Sequence, residues 1–401
     1  MIQSQRHPFV LLLLLALSVS DGFAQTRFQR ASITVDATKP VGRRSPLLYG
    51  QFLEFMFEGV KFGLHAELLR NRSFDEQANA IGLPRYWERY PDDRNDDYAL
   101  NFYWDDKISY PERTDSEIKP HSLRVDVGEG VTPRHGIFQS RIHLRAGVDY
   151  VCSVWLRTDD YDGQVTFALE QDDSRARIYS ESTVTPFKGQ WRQYKVHLKS
   201  LVNDPLARFV VLFNGKGRIW IDQISLMPGD ALDGVRRDVF TRIKDLRPAF
   251  LRWPGGNVAQ DYHWLWGVGP RDERTSWINL SWKNEVESGD FGTVEYIRLA
   301  RNVGAEPTIT VNVEGRGATA DEAAAWVEYC NGSTATKYGA LRAAHGYPEP
   351  FNVKLWEIGN EIWGDWVRGH SDADTYAQNL NRYAAAMRKV DPTIKLIAVG
   401  V

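Results

Sequence analysis

The sequence predicts an α/β fold: a (β/α)8 barrel, truncated after about five strands, with an inserted β-sandwich (jelly-roll) domain. Segments with helical spacing alternate with short apolar strands in the second half of the chain, which is typical of parallel α/β folds. Short alternating strands separated by turn residues fill the middle, with no helical period of useful length. A barrel closes with eight strands. We therefore expect the 401 residues to be a truncated barrel.

The predicted barrel elements begin before the insert and continue after it. The strands are expected near residues 48–55, 249–253, 307–313, 352–358 and 394–400. Residues 63–72 follow the first strand as a helix or loop. Four helices are expected: from Asp233 to Leu246, from Thr293 to Val303, after a capping box of Thr319 and Glu322, and after a cap formed by Ser371 and Asp374. Alternating units of this kind imply a parallel sheet.

Four segments describe the domain organisation. Residues 1–24 form a signal peptide, 25–79 the first part of the barrel, 80–229 the β-sandwich, and 230–401 the barrel continued. The sandwich is predicted from alternating runs at Ser122–Val127, Tyr150–Arg157, Gln164–Glu170, Trp191–Leu198, Arg208–Phe213 and Arg218–Leu226. Because these runs stand between the first and second barrel strands, the sandwich is an insertion.

The N-terminal residues have the composition of a secretory leader. Arg6 and His7 precede an apolar run from Phe9 to Leu17, and Gly22–Ala24 supplies small residues at the predicted cleavage point. The apolar run is too short to span a bilayer, and no later segment is long and apolar enough to do so. We expect an exported protein, periplasmic or extracellular, that does not reside in a membrane.

Charge and cysteine content narrow the classes of partner and cofactor. A formal net charge of −3 gives no electrostatic case for nucleic acid or acidic lipid, so a neutral partner is expected. Cys152 and Cys330 fall in different predicted domains, and two buried free thiols are expected, with a bridge between them as the alternative. Gly255–Gly256 lacks the remaining glycines of a dinucleotide-binding motif. No metal or organic cofactor is predicted.

The stretch Trp356–Glu361 places an adjacent amide and carboxylic acid at the end of a predicted strand. Parallel α/β folds collect their chemistry at the carboxyl ends of their strands. Glycosidic bond cleavage needs an acid near the leaving oxygen, and Asn360 can bind a sugar hydroxyl beside it. Trp363 and Trp366 favour a sugar, because sugar rings have apolar faces that stack on indole. The alternative is that Asn360 and Glu361 only cap a loop.

Five dispersed motifs occur in the two barrel segments: Leu48–Glu54, Leu68–Phe74, Phe250–Asn257, Gly304–Pro307 and Trp356–Glu361. In this order they resemble the family 51 glycoside hydrolases, the α-L-arabinofuranosidases, and the resemblance covers residues 45–80 and 231–401. The insert resembles a family 4/9-type carbohydrate-binding module, with Trp220–Leu226 as its last strand. The resemblance also favours a homo-oligomer.

The resemblance assigns roles to individual residues. It implies that Glu361 is the general acid/base and that Asn360 binds the 2-hydroxyl of the arabinofuranose. Glu54 and Asn257 match positions that hold the other hydroxyls of the sugar. Without the motifs, Glu54 is equally explained as a surface acid, and Asn257 as a turn residue that tolerates a left-handed backbone. Arg252 is expected to orient neighbouring carboxylates by ion pairing.

The function implied is hydrolysis of terminal non-reducing α-L-arabinofuranosyl residues in hemicellulose or pectin side chains, with retention of configuration. Retaining enzymes need a second carboxylate about 5 Å from the first. The resemblance places it beyond Val401, and Glu285, Glu287 and Glu314 do not match that position. Two alternatives stay open: a β-1,4-glucan or xylan hydrolase of the same family, and a catalytically incomplete fragment that binds carbohydrate.

Overall fold

A computed structural model describes residues 31–91, 99–112, 116–130, 134–173 and 175–400. The chain divides into two compact units, residues 1–45 and 46–401. In the first unit, residues 31–45 contain a turn in which Asp36 accepts hydrogen bonds from Thr38, and no helix or strand. The predicted signal peptide at residues 1–24 lies outside the described residues. All described helices and strands belong to the second unit.

The first strand of the second unit is β1 (Gln51–Phe52), and two antiparallel five-stranded sheets follow it in the chain. Their strands are β2 (Glu88–Tyr90), β3 (Leu100–Asp105), β4 (Ser122–Val127), β5 (Gly136–Leu144), β6 (Asp149–Thr158), β7 (Gln164–Glu170), β8 (Ile178–Val184), β9 (Arg192–Lys199), β10 (Asp204–Asn214) and β11 (Gly217–Pro228). One sheet has the order β2-β5-β10-β7-β8 and the other β3-β4-β11-β6-β9. The β-strands expected in the middle of the chain are therefore present.

The two sheets share one apolar core. Phe167 on β7 and Phe209 on β10 pack in one cluster with Leu156 on β6, because alternate side chains of each strand point inwards. The cluster also contains Leu69 and Phe74, which precede residue 80. The apolar core of the sandwich thus extends beyond the predicted 80–229 segment, whose boundaries remain a prediction.

The rest of the second unit alternates strands and helices. The elements are α1 (Arg237–Leu246), β12 (Phe250–Trp253), β13 (Trp277–Asn279), β14 (Glu285–Glu287), α2 (Thr293–Asn302), β15 (Glu306–Val311), α3 (Ala320–Asn331), α4 (Lys337–Ala344), β16 (Leu355–Ile358), α5 (Ala373–Val390) and β17 (Lys395–Ala398). Short helical turns lie at Pro46–Leu48, Gly59–Leu64, Asn257–Gln260, Trp264–Gly267, Arg271–Glu273 and Gly315–Gly317. Strands β13 and β14 form a separate hairpin.

Five strands form a parallel sheet in the order β1-β12-β15-β16-β17. Its centre is buried: Ile309 on β15 and Trp356 on β16 are inaccessible to solvent, and Trp253 on β12 stacks on Tyr296 with ring centroids 5.1 Å apart. The outer strands β1 and β17 are largely exposed. Successive strands lie side by side as in a barrel, and closure into eight strands remains a prediction.

Two helix boundaries differ from the sequence prediction for local reasons. The first helix begins at Arg237, not at Asp233, because Asp233 and Gly234 have φ of 52° and 81° and form a tight turn between Leu232 and Val235. The last helix is capped by Asp372, whose carboxylate accepts from the Thr375 amide at 2.8 Å. The prediction of a cap formed by Ser371 and Asp374 was wrong.

The capping box predicted for α3 is half present. Thr319 accepts a hydrogen bond from the Glu322 amide at 3.2 Å, as expected. The Glu322 carboxylate does not return to the backbone of Thr319, because it pairs with His263 at 2.9 Å. Helix α4 was not predicted. Thr336 caps it by accepting from the Gly339 amide at 3.2 Å, and Gly339 is a weak helix former.

Candidate active site

All four predicted site residues lie just beyond the carboxyl ends of parallel strands. Glu54 follows β1, Asn257 follows β12, and Asn360 and Glu361 follow β16. Glu54, Asn257 and Glu361 are half-buried, and Asn360 is buried. Because β1, β12, β15 and β16 are neighbours in the sheet, their loops meet along one edge. The four residues predicted from the sequence therefore all lie along one edge of the parallel sheet.

A polar network within the sheet holds the amide of Asn360. Arg252 on β12 donates through Nε to Glu357 on β16, and through Nη2 to Asn360 Oδ1 at 2.8 Å. Thr310 on β15 donates to the same Glu357 oxygen at 2.8 Å. Asn360 Nδ2 in turn donates to Asn257 Oδ1 at 3.1 Å. Arg252 thus has the orienting role predicted for it, and it acts on one carboxylate and one amide.

This network fixes which way the two amides face. An arginine can only donate, so the atom of Asn360 that faces Arg252 is its oxygen, and its nitrogen faces Asn257. Asn257 consequently accepts with its oxygen and keeps its own nitrogen as a donor. The contact between Asn257 and Asn360 places two amides from different loops side by side.

Glu54 lies against the Gly255–Gly256 turn. Its Oε1 accepts from the Trp282 indole N–H at 3.1 Å and from the Val258 amide at 3.3 Å. A Cβ added to Gly255, where φ is 120°, would stand 2.4 Å from the Glu54 Cβ, and one added to Gly256 would stand 3.1 Å from Oε1. The glycine pair therefore allows close approach to a carboxylate side chain, which explains the motif without a nucleotide.

Glu361 has a left-handed backbone, with φ of 45°, in the turn after β16. Its carbonyl accepts from the Gly364 amide at 2.7 Å, and buried Ile362 anchors the turn. Trp366 donates its indole N–H to Glu361 Oε2 at 3.1 Å. The carboxyl group is therefore held in a tight turn at the surface of the sheet edge, where a bound molecule can reach it.

Two exposed indoles stand beside this carboxyl group. Trp363 and Trp366 are 47% and 57% exposed, and their rings meet edge to face with centroids 5.0 Å apart. Large exposed aromatic rings beside a carboxylate suit a ligand with both an apolar face and hydroxyl groups.

The other carboxylates considered from the sequence have protein partners. Glu314 accepts from Arg382 at 2.6 Å and from Tyr383 at 2.9 Å, which ties it to α5. Glu285 and Glu287 face Lys61 at 2.9 and 3.6 Å. These contacts give all three residues structural roles.

Sequence reasoning missed Trp282 and the role of Glu357. Trp282 lies in the turn between β13 and β14, two short strands that were not predicted from the sequence. Glu357 stands inside the Trp356–Glu361 motif, where strand alternation places it on the face opposite Trp356. That alternation was the available signal for a partner of Arg252.

The described residues also bear on metals, thiols and membranes. Among them no group of three or more His, Cys, Asp or Glu side chains is arranged to hold a metal ion. Cys152 and Cys330 are buried and unbridged, as expected. No helix in the described part of the chain is both long and apolar enough to cross a bilayer.

Comparison with known proteins identifies the family to which this site is similar. Residues 242–401 match the family model described as the alpha-L-arabinofuranosidase 1 domain. That segment contains β12 to β17 and three of the four candidate residues, Asn257, Asn360 and Glu361. The match supports the resemblance to family 51 arabinofuranosidases.

Curated relatives agree over the same part of the chain. Alpha-L-arabinofuranosidase C of Emericella nidulans is 43% identical over 176 residues, which is 43% of this chain and 34% of the relative. An intracellular exo-alpha-(1->5)-L-arabinofuranosidase of Acetivibrio thermocellus is 39% identical over 168 residues, 42% of this chain and 33% of the relative. The chain spans about a third of the length of the curated relatives it matches.

A solved structure extends the similarity to most of the fold. The arabinose-bound α-L-arabinofuranosidase MgGH51 superposes with a TM-score of 0.74, at 23% sequence identity, over 90% of this chain and 60% of that chain. At this identity the likeness concerns the fold. It covers the sandwich as well as the parallel sheet, since neither alone amounts to 90% of the residues.

Proposed function

We propose that the protein hydrolyses terminal non-reducing α-L-arabinofuranosyl residues in arabinose-containing hemicellulose or pectin side chains. The observation that supports this most is the contact of Asn360 with Asn257 beside Glu361, in a segment that matches the alpha-L-arabinofuranosidase 1 domain. The relatives named above are arabinofuranosidases, and we extend that activity to this protein.

In the proposed mechanism Glu361 is the general acid and base. In the first step its carboxyl group protonates the glycosidic oxygen as the bond to the anomeric carbon breaks, and a second carboxylate forms a glycosyl-enzyme intermediate. In the second step the Glu361 carboxylate removes a proton from the attacking water. The family resemblance places the second carboxylate beyond Val401, so no residue of this chain is assigned to that role.

The remaining candidates hold the sugar. Asn360 is proposed to bind the 2-hydroxyl, because its amide is fixed by Arg252 beside the acid/base. Asn257 and Glu54 are proposed to bind other hydroxyls, with the free amide nitrogen of Asn257 as a donor and the Glu54 carboxylate as an acceptor. Hydrogen bonds from several loops orient the anomeric carbon towards Glu361.

Two properties outside the site complete the proposal. We propose that the insert binds carbohydrate, with half-buried Tyr179 and Trp191 as candidate stacking residues. Tyr161 is buried in the sandwich core and cannot stack on a ligand. We also propose that the protein is exported after cleavage of residues 1–24, and that it forms a homo-oligomer, as the resemblance favours.

A substrate panel tests the proposal. The full-length natural protein is incubated with 4-nitrophenyl α-L-arabinofuranoside, arabinan, xylan and β-1,4-glucan, and released sugars are identified by chromatography. Release of arabinose from the first two substrates supports the proposal. Cleavage of xylan or glucan backbones without arabinose release would favour the other activity of the family, and absence of any hydrolysis would favour a binding role.

A further inference from the structure

Arg72 binds both ends of the segment at residues 272–290, which follows β12 in the chain. Arg72 donates to Asp272 at 3.0 Å and to Asp290 at 2.5, 2.9 and 3.0 Å. The Arg72 side chain is 2% exposed, and the two carboxylates are 11% and 6% exposed. Arg72 therefore closes residues 272–290 into a loop whose ends are held by buried charges.

The loop closed in this way contains the β13–β14 hairpin and its turn. Trp282 in that turn donates to Glu54, and Asn279 Nδ2 donates to the Phe55 carbonyl at 2.5 Å. The position of the Trp282 indole against the Glu54 carboxylate therefore depends on the position of the hairpin backbone.

The sandwich reaches the same loop at Asp272. Trp155 on β6 donates its indole N–H to Asp272 Oδ2 at 3.0 Å, and Gln193 on β9 donates to the same oxygen at 2.9 Å. Tyr110 stacks on Trp155 with ring centroids 3.6 Å apart, and its hydroxyl donates to Glu273 at 3.3 Å. The outer face of one sandwich sheet thus binds the start of the loop directly.

Two further contacts join the hairpin to segments beside and within the insert. Asp75 accepts from the Ser276 hydroxyl at 2.7 Å, immediately before β13. Glu117 accepts from the Ile278 amide at 3.3 Å and pairs with Arg316 in the loop after β15. The hairpin is therefore held from the side of the insert at three separate points, Asp272, Ser276 and Ile278.

The buried carboxylates of Asp272 and Asp290 need charged and hydrogen-bonding partners to stay ionised. Burial alone would raise the pKa of Asp272, but the charges of Arg72 and Arg271 and the Trp155 hydrogen bond hold it below its usual value. Burial likewise works against ionised Asp290, whose pKa is nevertheless lowered by Arg72. Removal of a donor from a buried carboxylate destabilises the charged form, so the loop is expected to loosen when the sandwich donors are lost.

We propose that the inserted sandwich positions the active-site hairpin, with Trp155 and Gln193 as positioning residues that act on Glu54 through Asp272 and Trp282. The insert is then part of the framework of the catalytic site as well as a candidate carbohydrate-binding domain. The catalytic consequence rests on the proposed function, whereas the mechanical link between the sandwich and the hairpin does not.

The test compares matched variants of the full-length natural protein. Trp155→Phe removes the indole donor to Asp272, and Trp220→Phe removes an equivalent donor from the same sheet, where Trp220 binds Asp105 at 2.9 Å. Gln193→Ala is matched by Lys195→Ala, since both residues are exposed on the same edge strand, two positions apart. Hydrogen–deuterium exchange of residues 276–287 measures the link without reference to activity.

We expect Trp155→Phe and Gln193→Ala to speed exchange in residues 276–287 by about tenfold, as for loss of one hydrogen bond to a charged group, and both controls to leave it unchanged. With 4-nitrophenyl α-L-arabinofuranoside the same two variants should raise KM about threefold to tenfold, with kcat little changed. This substrate is a single sugar, so loss of polysaccharide binding by the insert does not affect it.

The outcomes separate the two proposals. Equal exchange of residues 276–287 in the variants and their controls would overturn the link between sandwich and hairpin. Faster exchange with an unchanged KM would overturn the positioning role. If the parent protein does not cleave arabinofuranosides, the proposed function fails, and the exchange measurement still decides the link.

Discussion

The sandwich and the parallel sheet differ in how their strands are covered. Both sandwich sheets contribute buried residues to one core, and central strands such as β7 and β11 are almost wholly buried on both faces. In the parallel sheet β15 is buried, whereas the edge strands β1 and β17 are largely exposed and α1 has no buried residue. The sandwich therefore owes its stability to its own core, while the site at the sheet edge depends on specific polar contacts.

The largest loss of stability is expected when part of the sandwich core is removed. A fragment of residues 80–229 lacks Leu69 and Phe74, and loss of a large buried side chain costs about 2–5 kcal/mol. Because domains are stable by only about 5–15 kcal/mol, we expect this fragment to show no cooperative melt, and a fragment of residues 66–230 to show one. Circular dichroism melts of both fragments decide it. A cooperative melt of the shorter fragment would show that the core does not need these two residues.

The next largest effect is expected at Glu361. Glu361→Gln should lower kcat on natural arabino-oligosaccharides by about 10²- to 10⁴-fold, since a carboxamide cannot donate the proton. The first step on an activated phenyl arabinoside should lose much less, because its leaving group needs little protonation. Stopped-flow and steady-state assays on the two substrate classes measure the difference. An equal loss in the rate of the first step on both classes would argue against proton donation by Glu361.

The polar network at the sheet edge is expected to contribute more than a comparable surface pair on the sandwich. In Arg252→Met, Glu357 loses the arginine and keeps the hydrogen bond from Thr310. We expect a loss of about 2–3 kcal/mol, discounted because both side chains of the pair are about one-sixth exposed. Lys216→Met, which removes an exposed pair with Glu129, should leave the melting temperature unchanged.

A double variant sharpens that prediction. Arg252→Met combined with Glu357→Gln removes the unpaired charge and should recover part of the stability lost in Arg252→Met alone. Thermal melts of the three variants and the parent provide the cycle. Simple additivity of the two substitutions would show that the pair makes no specific contribution.

The smallest expected effect is a pH dependence of the hairpin. Burial raises the pKa of Glu287 to about 7, against the opposing charge of Lys61. Its folded pKa lies above the unfolded value of about 4.3, so its stabilising contribution is fully present below about pH 4 and is lost as pH rises through about 7. We expect this contribution to lower the melting temperature as pH rises from 5 to 8, measured as the difference between the parent protein and Glu287→Gln.

Glu287→Gln is the control for that effect. Burial also raises the pKa of Asp75 to about 6, which changes stability in the same direction, so the Gln variant should reduce the pH dependence without abolishing it. Melts at several pH values measure the slope. An unchanged slope in the variant would assign the dependence to other groups.

The sequence predicted the elements whose signals are local. A helix after Thr319 was predicted, and it is α3, whose buried face includes Ala323, Trp326 and Cys330. Strands β4 and β7 were predicted with their observed bounds. The start of α1 was wrong because the Asp233–Gly234 turn precedes it, and α4 was missed because it is short and contains Gly339.

The site could be predicted only in part for a different reason. Asn360 and Glu361 follow a strand that the sequence predicts, so their place at the end of a strand could be predicted. Arg252 was also expected to pair with carboxylates. The contact of Trp282 with Glu54 joins residues 228 positions apart, and that of Trp155 with Asp272 joins residues 117 apart. Contacts of this kind are set by how distant segments of the fold pack on one another, which no local pattern encodes.

The central proposal, that Glu361 is the acid/base of a retaining arabinofuranosidase site, is tested most directly by the stereochemistry of the first product. Proton nuclear magnetic resonance is recorded from the first turnovers of the full-length natural protein on 4-nitrophenyl α-L-arabinofuranoside. We predict that α-L-arabinofuranose appears first and that the β anomer follows only by mutarotation. Initial release of the β anomer would contradict the account.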